Sequence, residues 1–325
     1  MDNIYAFQQR INLKLEEISL QFGEPVELYQ PISYVISYGG KRMRPILLLM
    51  ACDMFGGNVE EALYPALAVE LFHNFTLVHD DIMDNAPMRR NRPTVHQKWN
   101  SNIAILSGDV MLVQAYQLIS KCDQSVLHQV LDVFSNAAVK VCEGQQLDVN
   151  YEKKTDVSIE KYIQMISLKT AELLAASLQI GALVAKASEQ DSLNIYGFGK
   201  NLGIAFQLQD DILDVYGNEE KFGKKTGGDI VANKKTYLFL KALELANHEV
   251  KQQINHWVSM DKFDNKEKIN AVTSIFNSLD VLRYAKEEVN NYYQKAFDFL
   301  DKINVQEFKK TKLKSFVNSL MLREI

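Results

Sequence analysis

The chain has 325 residues, 47% of them hydrophobic, which allows one large domain or two ordinary ones with a sizeable core. It holds only 15 glycines and 6 prolines, so few positions break helices, and we expect an all-α fold with little sheet. The formal net charge of -5 argues against a nucleic-acid surface, whose footprint is a basic stripe.

Apolar residues recur at helical spacing along most of the chain, and glycine and proline mark the breaks. Pro25 and Pro31 are expected to separate the first two helices, and the polar stretch 143–148 to end the sixth. The predicted helices, in chain order, are 3–22, 32–38, 45–55, 62–84, 103–122, 126–142, 159–185 and 192–216, and amphipathic helices with polar joints fill the chain from 237 onward.

Neither a signal peptide nor a membrane span is predicted. Met1–Tyr5 lacks the charged-then-apolar pattern that begins a signal peptide. The longest apolar runs are short for a membrane helix or, in 171–185, are interrupted by Glu172, Ser177 and Gln179. We therefore expect a cytoplasmic protein, although its substrate can still be apolar.

Two acidic clusters lie far apart in the chain: His79–Asp84, with the sequence HDDIMD, and Gln209–Asp214, with the sequence QDDILD. Both follow apolar runs predicted to be helical, and helix positions i and i+4 lie about 40° apart. The outer carboxylates of each cluster should therefore share one helix face, with the middle carboxylate to the side. The six residues are Asp80, Asp81 and Asp84 in the first cluster and Asp210, Asp211 and Asp214 in the second.

Clustered carboxylates repel one another. Like charges at i and i+4 cost a few tenths of a kcal/mol even on a solvated helix, burial raises that cost, and cations remove it. Asp runs also cap helices or lie on solvated faces, and one motif alone would favour that interpretation. Two copies, each followed by basic residues, favour opposed oxygen-rich faces for hard divalent ions, and Mg²⁺ is the metal we expect.

Basic residues follow both clusters. Arg89, Arg90 and Arg92 come just after the first, and a phosphate held by metal on one side and by guanidinium groups on the other explains their placement. Segment 217–236 follows the second cluster and is rich in glycine and lysine. Its spacing does not fit a nucleotide-binding P-loop, and we predict a mobile basic lid over a metal–phosphate site.

Two further features could bind charged groups. Gly39–Pro45 places cations at a helix start, which suits an anion site, although a loop with incidental surface charge fits equally well. Lys169 and Thr170 lie in an apolar helix, where a lone lysine usually extends its charge to solvent. Beside the acidic clusters, Lys169 becomes a candidate neighbour of a phosphate or a carbocation, and Gln207 lies one turn before Asp211.

These residues resemble the trans-isoprenyl diphosphate synthase (polyprenyl synthetase) family from Gly39 to Arg323, in order and in spacing. One departure is Asn91, where many members carry glycine, and asparagine tolerates left-handed backbone better than most residues. The matching motifs are GGKRMRP at 39–45, ExxH at 70–73, DDIMD at 80–84 with RR at 89–90, GDVM at 108–111, GQ at 144–145, KT at 169–170, FQLQDDILD at 206–214, GKKTGGD at 223–229 and KKT at 234–236.

The resemblance implies an all-α bundle of long antiparallel helices around a deep central cavity, formed as one domain over residues 1–325 and normally a homodimer. The family joins an allylic diphosphate (dimethylallyl, geranyl or farnesyl diphosphate) head-to-tail with isopentenyl diphosphate and releases pyrophosphate. About three Mg²⁺ ions would neutralise the leaving group. The resemblance also implies that the departing pyrophosphate removes the final proton.

Carried over by position, the resemblance assigns a role to each motif. Asp80, Asp84 and Asp210 would bind Mg²⁺, and Asp81, Asp211 and Asp214 would support the metal or bound water. The allylic diphosphate would be bound by Arg89, Lys169, Lys224 and Lys234. Isopentenyl diphosphate would be bound by Gly40, Lys41, Arg44, His73, Arg90 and Arg323. Thr170 and Gln207 would face the developing allylic cation.

Product length depends on how far the cavity reaches beyond Asp80. At 1.5 Å per residue, Thr76 lies about 6 Å, Phe75 about 7.5 Å and Phe72 about 12 Å deeper along the helix. Long-chain members of the family usually carry a small residue where this chain has Phe75. We therefore predict a cavity floor at Phe75 and a short product, C20 or C15, with C20 favoured because Thr76 leaves room beside the ring. Phe75 as an ordinary core residue is the alternative.

Three alternative functions share parts of this pattern. A longer-chain polyprenyl diphosphate synthase has the same motifs. A class I terpene cyclase also uses an Asp-rich motif and Mg²⁺, but it needs no isopentenyl diphosphate site and does not commonly repeat DDxxD. A non-catalytic partner subunit would be expected to have lost aspartates or lysines that this chain retains.

Overall fold

The structure is a computed structural model that describes residues 2–20, 23–154, 156–217 and 226–321. About 81% of the described residues are helical, which confirms the predicted all-α fold. A hairpin of β1 (Met88–Arg89) and β2 (Arg92–Pro93) follows α4, and a π-helical turn at Ser167–Ala171, here named the π turn, joins α8 to α9. The helices are α1 (Asp2–Leu20), α2 (Val26–Ile36), α3 (Met43–Phe55), α4 (Val59–Met83), α5 (Val95–Lys98), α6 (Ser101–Ile119), α7 (Gln124–Lys153), α8 (Ile159–Ile166), α9 (Glu172–Val184), α10 (Glu189–Tyr216), α11 (Gly228–Val231), α12 (Tyr237–Leu245), α13 (His248–Ser259), α14 (Asn265–Ser278), α15 (Val281–Asp301) and α16 (Glu307–Met321).

Two predicted helix breaks are wrong. Helix α2 runs across Pro31, and the burial of Ile32 and Val35 on its inner side offsets the hydrogen bond that a proline removes from a helix. Helix α7 continues through the polar stretch 143–148, where we expected it to end. Polar residues of that stretch remain helical because they contact the π turn, as described below.

The chain divides into two compact units, each assembled from separate segments. Unit 1 consists of Met1–Asn136, Ala176–Ile195 and Asn304–Leu313, and unit 2 consists of Ala137–Ala175, Tyr196–Ile303 and Lys314–Ile325. The predicted single domain over residues 1–325 stays a prediction.

In unit 1, helix α4 packs against both α3 and α6. Helix α3 is buried almost all round, from Pro45 to Cys52, and therefore carries no amphipathic stripe. This packing fixes the first acidic cluster, at the end of α4, and the cationic loop that begins α3. In unit 2, a core that includes Ile204, Leu208 and Ile212 of α10 fixes the second acidic cluster.

Two helical stretches, Ser101–Ile119 and Ile159–Val184, are long and apolar enough to cross a membrane by length and composition alone. Core helices of soluble proteins pass the same test, and 67% of the apolar 18-residue window in the second stretch is buried within the protein, against 39% of the window in the first. The second stretch also contains the π turn. The absence of a membrane span therefore stays a prediction.

Candidate active site

The first acidic cluster lies at the C-terminal end of α4. Asp81 is only 3% exposed, and its carboxylate accepts hydrogen bonds from Arg89 Nε at 2.9 and 3.0 Å and an ion-pair contact from Arg89 Nη2 at 2.8 Å. Burial raises the pKa of Asp81, and Arg89 opposes that shift. Asp80 is half-buried and Asp84, the C-cap residue, is exposed. The middle carboxylate is thus held by the protein, whereas the outer two lie nearer to solvent.

The arginines that follow this cluster lie on the β1–β2 hairpin. Its two-residue turn, Arg90–Asn91, has positive φ values of 51° and 61°, as tight hairpin turns require. Asn91 thus has the left-handed backbone that asparagine tolerates better than most residues. The hairpin is anchored on α2, because Tyr34 and Tyr38 both donate hydrogen bonds to the Pro93 carbonyl, at 3.0 and 2.9 Å. This anchoring fixes where the arginine side chains begin.

The cationic loop before α3 lies next to this hairpin. Arg90 donates a hydrogen bond to the Gly39 carbonyl, and it leaves no space for a side chain at the next residue. A Cβ atom at Gly40, whose φ is +127°, would lie 2.4 Å from Arg90 Nη1. Glycine is therefore required at position 40 for its backbone conformation, and its lack of a side chain also leaves room for the Arg90 guanidinium.

His73 and Arg44 form the inner part of this site. Arg44 Nη1 lies 3.1 Å from His73 Nε2, which must accept because a guanidinium can only donate. Burial, and then the charges of nearby arginines, hold the pKa of His73 well below 6.5, so the ring is neutral near pH 7. Among the residues that the structure describes, none accepts a hydrogen bond from the buried Nε of Arg44. The arginines that lower this pKa are Arg44, Arg90, Arg89 and Arg42.

A buried ion pair that the sequence analysis missed holds this loop in place. Arg42, with a left-handed φ of 49°, donates from Nη1 to Glu70 Oε1 at 2.6 Å. It also donates to Asn12 Oδ1 at 3.0 Å and to the Ile36 carbonyl at 2.9 Å. Arg42 and Glu70 are 4% and 3% exposed. Glu70 interrupts an otherwise apolar run, and that lone acid was the signal for a buried partner.

A row of ring side chains lies behind the first acidic cluster. It begins at His79 and Phe75, whose ring centroids are 4.7 Å apart, and continues from Phe75 to Phe72 at 5.5 Å. Phe134 of α7 contacts Phe72 at 5.5 Å, and Tyr116 of α6 contacts Phe134 at 5.1 Å. We name these five residues the aromatic row. Thr76 lies beside it, half-buried, with its hydroxyl bonded back to the His73 carbonyl at 2.8 Å.

The second acidic cluster lies at the C-terminal end of α10. Asp211 is 3% exposed and accepts from the Tyr162 hydroxyl, from Gln207 Nε2 at 3.1 Å and from the Tyr237 backbone N–H at 3.4 Å. Burial and the charge of Asp229 nevertheless raise the pKa of Asp211 to about 8. A cation at the neighbouring aspartates would relieve that cost.

Of the remaining acids of this region, Asp214 contacts the described part of the predicted lid, residues 226–236, whereas residues 218–225 of that segment lie outside the described residues. Asp214 accepts a hydrogen bond from the Asp229 backbone N–H at 3.0 Å, and Lys234 lies 3.8 Å from Asp229. Asp210 is exposed. Asp210 and Asp214 are the outer acids of the second cluster, and their role in holding metal stays a prediction.

The π turn explains how two consecutive residues can serve one site. Lys169 pairs with Asp148 of α7 at 2.5 Å, and Thr170 donates to Gln207 Oε1 of α10 at 3.1 Å. The two side chains therefore contact different helices. A Cβ atom at Gly144 would lie 2.2 Å from the Lys169 backbone nitrogen, so glycine allows α7 to approach the π turn. This contact keeps the polar part of α7 helical.

Each unit thus brings together part of the predicted site. Lys224 and Arg323 lie outside the described residues. Within the described part of the chain, no group of three His, Cys, Asp or Glu side chains is arranged to hold a metal by itself. Unit 1 holds Gly40, Lys41, Arg44, Phe72, His73, Phe75, Thr76, Asp80, Asp81, Asp84, Arg89 and Arg90, and unit 2 holds Lys169, Thr170, Gln207, Asp210, Asp211, Asp214 and Lys234.

Replacing Glu70 should test the buried ion pair. Glu70→Gln leaves the Arg42 guanidinium buried without a counter-charge, and we expect the free energy of unfolding to fall by about 3 kcal/mol. Urea denaturation measures the change. The matched control is Glu17→Gln, which breaks an exposed pair with Lys14 and should change stability little. Equal stability of the two variants would contradict the assigned role of Glu70.

Comparison with known proteins places the chain in a family. Residues 25–276 match the polyprenyl synthetase family. The chain is 38% identical over 286 residues to a geranylgeranyl diphosphate synthase of Sulfolobus acidocaldarius, covering 87% of this chain and 86% of that protein. A crystal structure of a geranylgeranyl pyrophosphate synthase aligns with a TM-score of 0.95, at 40% identity and over 100% of both chains. A second, from Pyrococcus horikoshii, has a TM-score of 0.92 at 33% identity and covers 99% of both. The chain therefore belongs to the polyprenyl synthetase family and has its isoprenoid synthase fold.

Proposed function

We propose that this prenyltransferase joins an allylic diphosphate head-to-tail to isopentenyl diphosphate, releases pyrophosphate, and forms geranylgeranyl diphosphate as its main product. The observation on which the proposal rests is the cationic cluster of Lys41, Arg44, His73 and Arg90 in addition to the two acidic clusters. Metal-binding acids alone would suit a terpene cyclase, which handles one diphosphate. A second anion site indicates a second diphosphate substrate.

The cationic cluster suits isopentenyl diphosphate for three reasons. The buried Nε of Arg44 has no acceptor among the described residues, and a phosphate oxygen would supply one. Neutral His73 can donate from its other ring nitrogen without adding a further charge. The fixed turn at Gly40 brings Arg90 against the same loop. Arg323, assigned to this substrate by family resemblance, lies outside the described residues.

The acidic clusters fit Mg²⁺ as the family's usual metal. We propose that Asp80, Asp84 and Asp210 bind about three ions together with substrate phosphates, because Mg²⁺ keeps waters and takes one or two carboxylates rather than a complete protein cage. The outer carboxylates lie nearer to solvent than Asp81 and Asp211, which the protein already holds. When bound, Mg²⁺ neutralises the charge that develops on the leaving pyrophosphate.

The protein residues have distinct tasks in the proposed reaction. The allylic C–O bond breaks and its electron pair leaves with pyrophosphate, whose charge Lys169, Arg89 and Lys234 offset; Lys224 has the same proposed role. Thr170 and Gln207 present oxygen atoms to the allylic cation. The double bond of isopentenyl diphosphate then forms the new C–C bond. A proton leaves the carbon next to the resulting cation, and a pyrophosphate oxygen takes it.

The aromatic row supports a short product. Phe75 is 8% exposed and contacts Phe72, which is 1% exposed and in turn contacts Phe134. A growing chain that reaches Phe75 would have to displace rings that already contact one another. We propose that Phe75 is the floor of the product cavity and that Thr76, beside it, leaves enough room for C20.

We further propose one polyprenyl synthetase domain and a cytoplasmic location. The family match runs continuously from residue 25 to 276 and so includes segments of both units. Within the described residues, the two apolar stretches are weak evidence for a membrane span, because buried core helices pass the same test.

Helix α6 supports a homodimer. It exposes Leu106 and Val113, which are 56% and 57% exposed and lie two turns apart on one face. Apolar side chains in such a stripe are commonly covered by a partner, and we propose a second copy of this chain.

Turnover tests the proposed activity. Purified protein with Mg²⁺, labelled isopentenyl diphosphate and geranyl or farnesyl diphosphate should give labelled C20 diphosphate and pyrophosphate. Asp80→Ala and Asp210→Ala should each lower kcat by about 100-fold or more, because each removes a carboxylate that we assign to the metals. Asp298→Ala, an exposed acid on α15, is the control and should have no effect. A cyclic hydrocarbon formed without isopentenyl diphosphate would favour a cyclase, and no turnover at all would favour a partner subunit.

Product length tests the floor. Phe75→Ala should extend the products beyond C20, because removing the ring opens the space in front of Phe72. Chromatography of the dephosphorylated products measures the ladder. Phe75→Tyr keeps the aromatic ring and should give no product longer than the wild type. An unchanged ladder in Phe75→Ala would leave Phe75 as an ordinary core residue.

Sedimentation tests the dimer. The wild type should sediment at twice the chain mass of 37.1 kDa, and Val113→Arg should shift it to the monomer because a buried, unpaired charge opposes association. Phe308→Arg, at a 68% exposed residue of α16, is the control and should stay dimeric. A monomeric wild type would contradict the proposal.

A further inference from the structure

A continuous series of hydrogen bonds links a buried tyrosine to the residues assigned to the allylic cation. The Tyr162 hydroxyl of α8 donates to Asp211 Oδ2, and Gln207 Nε2 donates to Asp211 Oδ1 at 3.1 Å. The Thr170 hydroxyl then donates to Gln207 Oε1 at 3.1 Å. All four residues lie in unit 2. Tyr162 is 3% exposed and therefore cannot touch a substrate in this arrangement.

These bonds fix the orientation of the Gln207 amide. The Tyr162 hydroxyl and the Tyr237 N–H donate to Asp211 Oδ2, while the Gln207 amide turns its NH₂ group toward Asp211 Oδ1 and its oxygen toward Thr170. The Thr170 hydroxyl then uses its hydrogen on Gln207 Oε1. The lone pairs of the Thr170 oxygen are then available to a group beside the π turn, which we propose is the allylic cation.

Asp211 can hold Gln207 only if its carboxylate does not rotate. Oδ2 accepts from Tyr162 and, at a longer 3.4 Å, from the Tyr237 backbone N–H. Without the Tyr162 hydroxyl, the long bond alone would restrain Oδ2. The Asp211 carboxylate could then rotate. Gln207 would lose its fixed hydrogen-bond acceptor, and Thr170 would in turn lose the fixed position of the Gln207 oxygen.

We propose that Tyr162 is a positioning residue for catalysis: through Asp211 it fixes the Gln207 amide and, through that amide, the Thr170 oxygen that faces the allylic cation. The inference rests on the proposed prenyl transfer. It assigns Tyr162 to the chemical step and not to substrate binding, since the groups assigned to the diphosphates do not include it.

Steady-state kinetics of the full-length protein with Mg²⁺ test this assignment. Tyr162→Phe removes one atom and should lower kcat by about 10-fold or more, as loss of a fixed reaction geometry does, while KM for both diphosphates stays within about twofold. Tyr196→Phe is a matched control. It removes a hydroxyl that donates to buried Glu172 at 2.6 Å in the same unit, where Lys140 and Lys200 still hold the carboxylate at 2.7 and 3.2 Å. This control should keep the wild-type kcat.

A double-mutant cycle separates positioning from loss of packing. Gln207→Met should lower kcat, and adding Tyr162→Phe to it should lower kcat no further, because Tyr162 acts through Gln207. Additive losses, a wild-type kcat in Tyr162→Phe, or a raised KM with unchanged kcat would each overturn the inference.

Two further measurements keep the outcome clear. If Tyr162→Phe does not fold, Gln207→Glu keeps an oxygen for Thr170 but replaces the N–H that donates to Asp211 with a second acidic oxygen, which cannot hold that carboxylate in the same way. A wild-type kcat in that variant would show that the hydrogen bonds from Gln207 through Asp211 to Tyr162 have no role in the chemical step. Absence of turnover in the wild type would overturn the proposed function, whereas an active wild type with an unaffected Tyr162→Phe variant would overturn this inference alone.

Discussion

The structure depends on how helices α4 and α10 accommodate acidic side chains at their C-terminal ends, where the helix dipole disfavours negative charge. A helix C-terminus carries partial negative charge, so the carboxylates at the ends of α4 and α10 are unfavourable there without cations. In each cluster the middle carboxylate is buried and bound by protein donors: Asp81 by Arg89, and Asp211 by Tyr162 and Gln207. The outer carboxylates are left nearer to solvent. This difference in burial explains how a motif with three acids can form a stable helix end and still leave carboxylates for the metal ions that we propose.

In the cationic part of the site, positive charges repel one another. Several arginines lie close to one histidine, and their mutual repulsion has to be offset. The Arg42–Glu70 pair does this inside the protein, and its guanidinium also binds the Ile36 carbonyl at the end of α2. The ion pair therefore fixes the loop between α2 and α3. Lys41 and Arg44, which we propose bind isopentenyl diphosphate, belong to the same loop and helix start as Arg42.

The π turn has a comparable role in unit 2. A regular helix turns about 100° per residue, and this local change of helix geometry lets Lys169 reach Asp148 while Thr170 reaches Gln207. Gly144 permits the close approach of α7 that accompanies it. Backbone irregularities of this kind are common at functional sites because they re-aim side chains.

The sequence by itself determined the all-α fold, the position of both acidic clusters, and the family, because these follow from helical periodicity and from residue types at fixed spacing. It did not determine that α2 runs across Pro31 or that α7 continues beyond 143. Nor did it determine that Arg42 pairs with Glu70, or that Tyr162 contacts Asp211. Those features depend on burial and on partners distant in the chain, and only the tertiary structure decides which polar side chains meet inside the protein. A local pattern can predict a helix or a motif, but it cannot reveal the desolvated contacts that fix its geometry.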